Sequence, residues 1–226
     1  MAKKDEFKKQ DENLENVNEA LNTTSEWIEQ HSTIITWVIA AIAVVVLGVI
    51  AINNYIIRPN RLAASNEIAK AVVYFGEGNW QKALEGDDAE CIGFVAIADE
   101  YNRYQQGRLA ALYAGICYYK QGEYDEAANY LKRFKANDAM VYPAASQLLG
   151  DAYVQGDELD KAAKAFETAA KSGNELIAPM SLKKLGFVQM ELGNKAAANK
   201  AFQAIKSDYP ASQEAQDIDK YIELTK

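Results

Sequence analysis

The sequence contains one long stretch without a charged side chain, residues 32–57. Within it, residues 34–52 read IITWVIAAIAVVVLGVIAI, and Thr36 is the only polar side chain. A helix of that length, rising 1.5 Å per residue, reaches about 30 Å, which is the hydrocarbon thickness of a bilayer. The stretch therefore predicts a transmembrane helix over residues 34–57, with Trp37 and Tyr55 placed near the two membrane interfaces.

Two other structures fit an apolar run, a buried core helix and a cleavable signal peptide. A core helix is normally shorter and has one polar face, and a signal peptide has a shorter apolar region nearer the N-terminus. Both are disfavoured by this run. Pro59 follows it and prevents the helix from continuing unkinked. The chain thus divides into a tail, an apolar helix and a body.

The orientation of this helix in a membrane is not fixed by charge. Residues 10–57 contain no Lys or Arg, whereas Arg58, Arg61 and Lys70 follow closely. Taken locally, the positive-inside rule places the body in the cytoplasm. The rule is weak here, because a large C-terminal domain is translocated largely regardless of its charge.

The acidic tail, residues 1–33, carries eight acidic residues and four lysines. Leu14, Val17, Leu21 and Ile28 follow a heptad-like spacing, which predicts a short amphipathic helix. Such a helix either docks on a partner near the membrane or stays solvated. We favour the solvated form, because four apolar positions over two heptads are too few for a coiled coil.

An internal repeat dominates the body. Three segments align: AGICYYKQGEYDEAANYLKRF, LGDAYVQGDELDKAAKAFETA and LGFVQMELGNKAAANKAFQAI. Three kinds of position recur at spacings of 35 and 36 residues, namely a glycine, an alanine and a large apolar residue. They are Gly115, Gly150 and Gly186; Ala127, Ala162 and Ala198; and Leu131, Phe166 and Phe202.

The repeat predicts paired antiparallel helices. The small residues let two backbones approach closely, and the large residues fill the gap toward the next pair. Turns are expected at Gly122 with Glu123, Gly156 with Asp157, and Gly193 with Asn194. Pro210 marks the end of the last pair.

The repeat continues in weaker form on both sides. Residues 61–75 and the segment around Trp80 and Ala83 predict a degenerate first repeat, and an apolar stripe at Phe94, Ile97, Ala98 and Tyr101 predicts an inserted helix within residues 58–107. Ile218, Tyr221 and Ile222 predict a capping helix in residues 214–226.

These residues resemble the tetratricopeptide repeat family over residues 108–213. The order of Gly-x-x-Tyr, a second Gly, Ala, a bulky apolar residue and a final Pro carries the resemblance. Departures are an absent tryptophan at the repeat start, Gln189 in place of a Tyr, and Gly156 one position early. The resemblance implies an all-α fold, in which a single N-terminal transmembrane helix precedes a tetratricopeptide-repeat α-solenoid.

In such a solenoid the first helix of each hairpin lines a surface that holds a peptide or a partner. Counted from the repeat starts, the inward positions form a mainly apolar groove: Leu109, Leu112, Ile116, Tyr119, Ala144, Gln147, Asp151, Val154, Met180, Lys183, Phe187 and Met190. Where the family binds a terminal carboxylate through Lys, Asn and Arg, this chain has Ile116, Asp151 and Phe187. A carboxylate clamp is therefore not expected. The groove either binds hydrophobic segments or is covered by neighbouring helices as ordinary core.

Composition argues against an enzyme. The chain has a single histidine, His31, and two cysteines, Cys91 and Cys117, which are too few soft ligands for a structural zinc site. No phosphate-binding glycine loop or nucleophile elbow is present. The net charge of −8 does not attract nucleic acid. Cys117 occupies a predicted core position, so a disulfide is disfavoured. The sequence predicts no cofactor, no metal and no catalytic residue.

The whole chain resembles the YfgM-like ancillary subunits of the SecYEG protein-export translocon. The resemblance depends on the order of acidic tail, anchor helix and repeat body. It implies a bacterial inner-membrane protein with a cytoplasmic N-terminus and a periplasmic repeat domain. It also implies three kinds of partner: the SecYEG translocon, a membrane-anchored periplasmic prolyl isomerase, and unfolded secreted chains. The alternative is a structural adaptor that tethers other envelope machinery without binding clients.

Overall fold

A computed structural model describes residue 27, residues 31–87 and residues 90–226. The chain divides into two compact units, Met1–Pro59 and Asn60–Lys226. The amphipathic helix predicted in the acidic tail, with Leu14, Val17, Leu21 and Ile28, lies outside the described residues.

The first unit contains helix α1, Ser32–Ile52, followed by a π-helical turn, Asn53–Ile57. No residue of α1 is buried, although it is almost entirely apolar. Its one polar interior side chain, Thr36, donates its hydroxyl hydrogen to the carbonyl oxygen of Ser32 at 2.7 Å, so the helix satisfies it internally. By length and composition α1 is able to cross a membrane, as a signal sequence of this kind also is.

The predicted stop at Pro59 takes a different form in the structure. Pro59 is the second residue of helix α2, Arg58–Gly76, and the π-helical turn immediately precedes it. Proline lacks the N–H that would continue an α-helical ladder, and a wider turn accommodates this loss without ending the helix.

The second unit is built from helices, and no strand occurs among its described residues. After α2 come α3 Trp80–Glu85, α4 Gly93–Glu100, α5 Gln105–Gln121, α6 Tyr124–Leu131, α7 Val141–Gln155, α8 Leu159–Ala170, α9 Ile177–Glu191, α10 Lys195–Asp208, a 3-10 turn Gln213–Asp217 and α11 Ile218–Leu224. The helical hairpins α5–α6, α7–α8 and α9–α10 are the three predicted repeats.

In each repeat the recurring glycine, which the sequence placed where two backbones approach, makes room for the large residue of its own hairpin. A Cβ atom added to Gly150 would stand 2.5 Å from the Phe166 ring, and one added to Gly186 would stand 2.2 Å from the Phe202 ring. These rings are buried. The large residues therefore pack first on the glycine of their own hairpin, and not only toward the next pair as the sequence suggested.

The turn of the middle hairpin differs from prediction. Gly122 and Gly193 adopt positive φ angles of 83° and 75°, as a helix C-terminus commonly requires. In the middle hairpin the corresponding residue is Asp157, at φ 59°, while Gly156 stays at φ −85°. Gly156 thus lies one residue before the position that adopts the left-handed conformation.

We expect Asp157→Gly to stabilise the protein by about 0.5–1 kcal/mol, because glycine reaches a positive φ without a steric penalty. Asp157→Ala should destabilise it by a similar amount, since alanine lacks the local hydrogen bonding that lets Asp tolerate this region. Thermal unfolding followed by far-UV circular dichroism would measure both. An equal or lower midpoint for Asp157→Gly would contradict the assignment of strain to this residue.

An aromatic cluster closes the N-terminal end of the second unit. Phe94 on α4 stacks on Tyr113 of α5, with ring centroids 4.9 Å apart. Phe75 from α2 makes edge contacts with Tyr113 at 5.1 Å and with Trp80 at 5.4 Å. The predicted stripe on α4 is therefore core. Cys91 and Cys117 belong to the same buried cluster and are free thiols.

The C-terminal end is closed by the predicted capping helix, α11. Ile218 is 1% exposed and packs with Phe202 and Ile205 of α10. Asn199 donates to the Ile222 carbonyl oxygen at 2.9 Å and to the Thr225 hydroxyl at 3.0 Å, which fixes α11 against α10.

Candidate partner-binding surface

The predicted groove residues lie on the first helix of each repeat, α5, α7 and α9. We call this set of positions the first-helix face. On α5 its residues are largely packed: Leu112 is 7% exposed and belongs to the core, while Leu109, Ile116 and Tyr119 are half-buried against the same cluster. The α5 part of the face therefore offers little free apolar surface.

On α7 half of the face residues are polar, Gln147 and Asp151. Gln147 donates to the Met180 sulfur at 3.0 Å and accepts from the Ser181 hydroxyl at 3.1 Å, so it links α7 to α9. Of the predicted groove residues on this helix, Ala144 is exposed, and Val154 is the larger apolar residue that is exposed.

Asp151 and Lys184 form an ion pair across the face, with the Lys184 Nζ 2.6 Å from one carboxylate oxygen and 2.7 Å from the other. Both side chains are partly buried. The pair neutralises the acid that the repeat pattern placed on the surface. Sequence reasoning missed Lys184, because partners 33 residues apart on different hairpins leave no periodic signal.

On α9 two large apolar side chains remain exposed, Met180 at 42% and Phe187 at 40%. Phe187 is held by edge contacts with Tyr221 at 4.9 Å and with Phe202 at 5.7 Å. Met190 is half-buried against the α10–α11 cluster. The large apolar side chains that are exposed on the first-helix face are thus Val154, Met180 and Phe187.

Lys183 lies beside this patch and binds the 3-10 turn. Its Nζ is 2.7 Å from Asp217, and Lys220 Nζ is 2.8 Å from the other oxygen of the same carboxylate. The hydrogen bonds from Lys183 and from Lys220, together with their positive charges, lower the pKa of Asp217 to about 2. The turn before α11 is therefore tied to α9 by a carboxylate that remains ionised at neutral pH.

The Asp217 ion pairs predict that the stability of the fold depends on pH. Since the pKa of Asp217 is lower in the folded chain than its ordinary value of 3.8, its stabilising contribution is complete above about pH 4 and is lost as the pH falls toward 2. Asp217→Asn should lower the stability at pH 7 and flatten the loss between pH 4 and pH 2. Asp219→Asn, which removes a more exposed pair with Lys206, is the matched control. If Asp217→Asn loses stability between pH 4 and pH 2 as steeply as the unmodified protein does, Asp217 is not the group responsible.

No group of three or more His, Cys, Asp or Glu side chains suited to a metal ion occurs in the described part of the chain. Burial raises the pKa of the Cys117 thiol to about 12 and also raises that of Cys91. Both thiols are therefore poor nucleophiles at neutral pH. What the surface can do is present apolar and charged contacts to another polypeptide.

Stacked helical hairpins with exposed first-helix side chains define a class of protein–protein interaction scaffold. Models of the tetratricopeptide repeat match residues 96–141, 114–177 and 182–212, and the chain belongs to the tetratricopeptide repeat family. This confirms the repeat predicted from the sequence.

Comparison with solved structures gives the same fold. A crystal structure of MamA protein is 18% identical, with a TM-score of 0.52 over 72% of this chain and 89% of that chain. A second crystal structure of MamA is 21% identical, with a TM-score of 0.40 over 64% of this chain and 90% of that chain. At 18% identity the first of these structures shows the fold alone. A comparison with curated proteins found no match.

Proposed function

We propose that this chain is a membrane-anchored tetratricopeptide scaffold that serves as a chaperone-like accessory subunit of the bacterial Sec protein-export translocon. The observation that carries the proposal is the pairing of an apolar, wholly unburied helix with a repeat unit that leaves Val154, Met180 and Phe187 exposed. The helix holds the chain at the membrane, and the repeat face receives a partner protein or an emerging secreted chain.

The anchoring role of α1 is supported by its exposure. Its apolar side chains are not buried by any described part of the chain, and a bilayer supplies the solvent that such a surface requires. A core helix of a soluble protein would be mostly buried, which α1 is not. Our proposal is therefore a single-pass inner-membrane protein.

The Sec assignment and the periplasmic location of the repeat domain depend on the resemblance to YfgM-like subunits. Their order of acidic tail, one apolar helix and repeat body is also the order of this chain. We propose SecYEG and a membrane-anchored periplasmic prolyl isomerase as its partners. Arg58 and Arg61 favour the opposite orientation, but a domain the size of Asn60–Lys226 makes that preference weak.

Photocrosslinking in intact cells tests the function. Photoreactive amino acids are placed one at a time at Val154, Met180 and Phe187, with the exposed loop residue Asn137 as the control position. Capture of SecYEG subunits or of secreted chains in transit from the first three positions, but not from Asn137, supports the proposal. A single constant folded partner unrelated to export would favour the envelope adaptor instead.

Thiol labelling tests the orientation. Because both native cysteines are buried, the unmodified chain should give almost no signal with a membrane-impermeant maleimide. Asn137→Cys should then label in intact spheroplasts, whereas Ser25→Cys should label only after permeabilisation. The reverse pattern would place the repeat domain in the cytoplasm and overturn the proposed location.

A further inference from the structure

A cleft of about 600 Å³ opens at the C-terminal edge of the repeat array. One wall is formed by Glu175 and Leu176 in the loop before α9 and by Met180 in its first turn. The other is formed by residues 208–214, from the last residue of α10 onward. Leu176 is 74% exposed and Met180 is 42% exposed. The cleft thus presents two large apolar side chains to whatever enters it.

The charged residues of this cleft are all acidic. Glu175, Asp208 and Glu214 line it, and no Lys or Arg does. Within the described residues none of the three forms an ion pair, in contrast to Asp151 and Asp217 on the first-helix face, which are paired with lysines.

The backbone around the cleft also favours a positively charged ligand. The cleft includes the C-terminal end of α10, where the carbonyl groups of a helix carry negative partial charge. At the start of α9 the N–H groups that would attract an anion are already bound, because the Asn174 side-chain oxygen accepts from Leu176 and Ile177 at 2.9 Å and 3.1 Å. Tyr209 adds an aromatic ring to the wall, which suits a cation.

We propose that this cleft binds a polypeptide segment in which a large apolar side chain is flanked by lysines or arginines. The apolar side chain covers Leu176 and Met180, and the flanking cations face Glu175, Asp208 and Glu214. This inference goes beyond the proposed function, because it follows from the chemistry of the cleft and holds whether or not the chain joins the translocon. An acidic peptide or an anionic headgroup would be repelled by the same three carboxylates.

Fluorescence anisotropy with defined peptides tests the proposal on the full-length protein in phosphatidylcholine nanodiscs. Three fluorescein-labelled nonapeptides serve as probes. The first has a Leu-Phe-Leu centre with three lysines on each side, the second replaces the lysines with glutamates, and the third keeps the lysines around a Ser-Gly-Ser centre. We expect the first to bind at least about tenfold more tightly than either of the others, with an affinity that falls as salt rises.

Two variants locate the binding. The charge variant Glu175→Gln/Asp208→Asn/Glu214→Gln should weaken the first peptide by about tenfold, since it removes the three carboxylates that face the flanking cations. The apolar variant Leu176→Ser should weaken the same peptide at unchanged net charge. The control variant Glu123→Gln/Asp125→Asn/Glu126→Gln also makes two Glu→Gln and one Asp→Asn substitutions, at exposed residues at the start of α6.

The control variant should bind like the unmodified protein, and circular dichroism confirms that each variant is folded. Equal binding of the lysine and glutamate peptides, or equal weakening by the charge and control variants, would overturn the proposal. So would a dimer that Leu176→Ser dissociates, because the occupant would then be a second copy of the chain. Failure of the translocon crosslinks with peptide binding intact would remove only the proposed function.

Discussion

Gly186→Ala is expected to destabilise the C-terminal repeat by roughly 1–3 kcal/mol. The new methyl group would stand 2.2 Å from Cε1 and 2.5 Å from Cζ of Phe202, far inside contact distance. Phe202 is fully buried and packs against Phe187 and Tyr221, so its ring has no free space to enter. The strain outweighs the gain of about 1 kcal/mol that alanine normally brings to a helix interior.

Urea unfolding measures this effect with two signals. Far-UV circular dichroism follows all helices, whereas Trp80 is the only tryptophan in the second unit and reports on its N-terminal end once Trp27 and Trp37 are replaced by Phe. Because each repeat contacts only its neighbours, the loss should appear in circular dichroism at lower urea than in Trp80 fluorescence. Coincident transitions in the variant would show that the array unfolds as one unit.

Gly76→Ala is the matched control, since an added Cβ there meets no atom within 4 Å. It should be neutral or slightly stabilising. A double-mutant cycle isolates the contact: Phe202→Ala alone should cost about 3–5 kcal/mol, and adding Gly186→Ala to it should cost little more, because the ring that clashes is gone. Fully additive losses would place the strain elsewhere in the hairpin.

The recurrence of a glycine and a large apolar residue could be predicted because every hairpin repeats them, whereas their direct contact within one hairpin is seen only in the structure. Gly150 and Phe166, for example, recur at the same spacing in the other repeats, so the pattern is visible without the structure. The apolar run of α1 is equally plain, since a bilayer imposes both its length and its composition. The sequence therefore predicts the elements and their pairing well.

Features that belong to a single hairpin could not be predicted in this way. The left-handed residue Asp157 departs from the pattern by one position, and the ion pair of Asp151 with Lys184 joins two hairpins with no recurring spacing. Leu112 falls in the core, because neighbouring helices cover a position that the repeat register alone assigns to the surface. Exposure depends on what packs beside a helix, and a repeat pattern does not contain that information.

On the candidate surface, too, the repeated positions could be predicted and the features of a single loop could not. Val154, Met180 and Phe187 were found by repeat position and are exposed in the structure. Leu176 lies in the loop before α9, where no helical periodicity applies, and only the fold brings it opposite residues 208–214. The cleft between Leu176 and residues 208–214 could therefore not be predicted from the sequence.

Phe94→Ala should destabilise the N-terminal end of the second unit by about 3–5 kcal/mol, the usual cost of removing a buried aromatic ring. Phe94 is fully buried, stacks on Tyr113 at 4.9 Å and lies 6.3 Å from the Phe75 ring. Phe94 comes from α4, Tyr113 from α5 and Phe75 from α2, so the cavity would loosen the packing of three helices. Trp80, which contacts Phe75 at 5.4 Å, should report the loss directly by its fluorescence.

Ile92→Ala is the matched control for this variant, because Ile92 precedes α4 by one residue and is 39% exposed. It should shift the Trp80 transition by less than about 1 kcal/mol. The comparison decides what the inserted helix is for. If Phe94→Ala lowers the midpoint strongly and Ile92→Ala does not, α4 supplies the apolar cover that a terminal repeat needs in place of a missing neighbour. If both variants behave alike, α4 is a peripheral insertion, and the first repeat is closed by α2 and α3 without it.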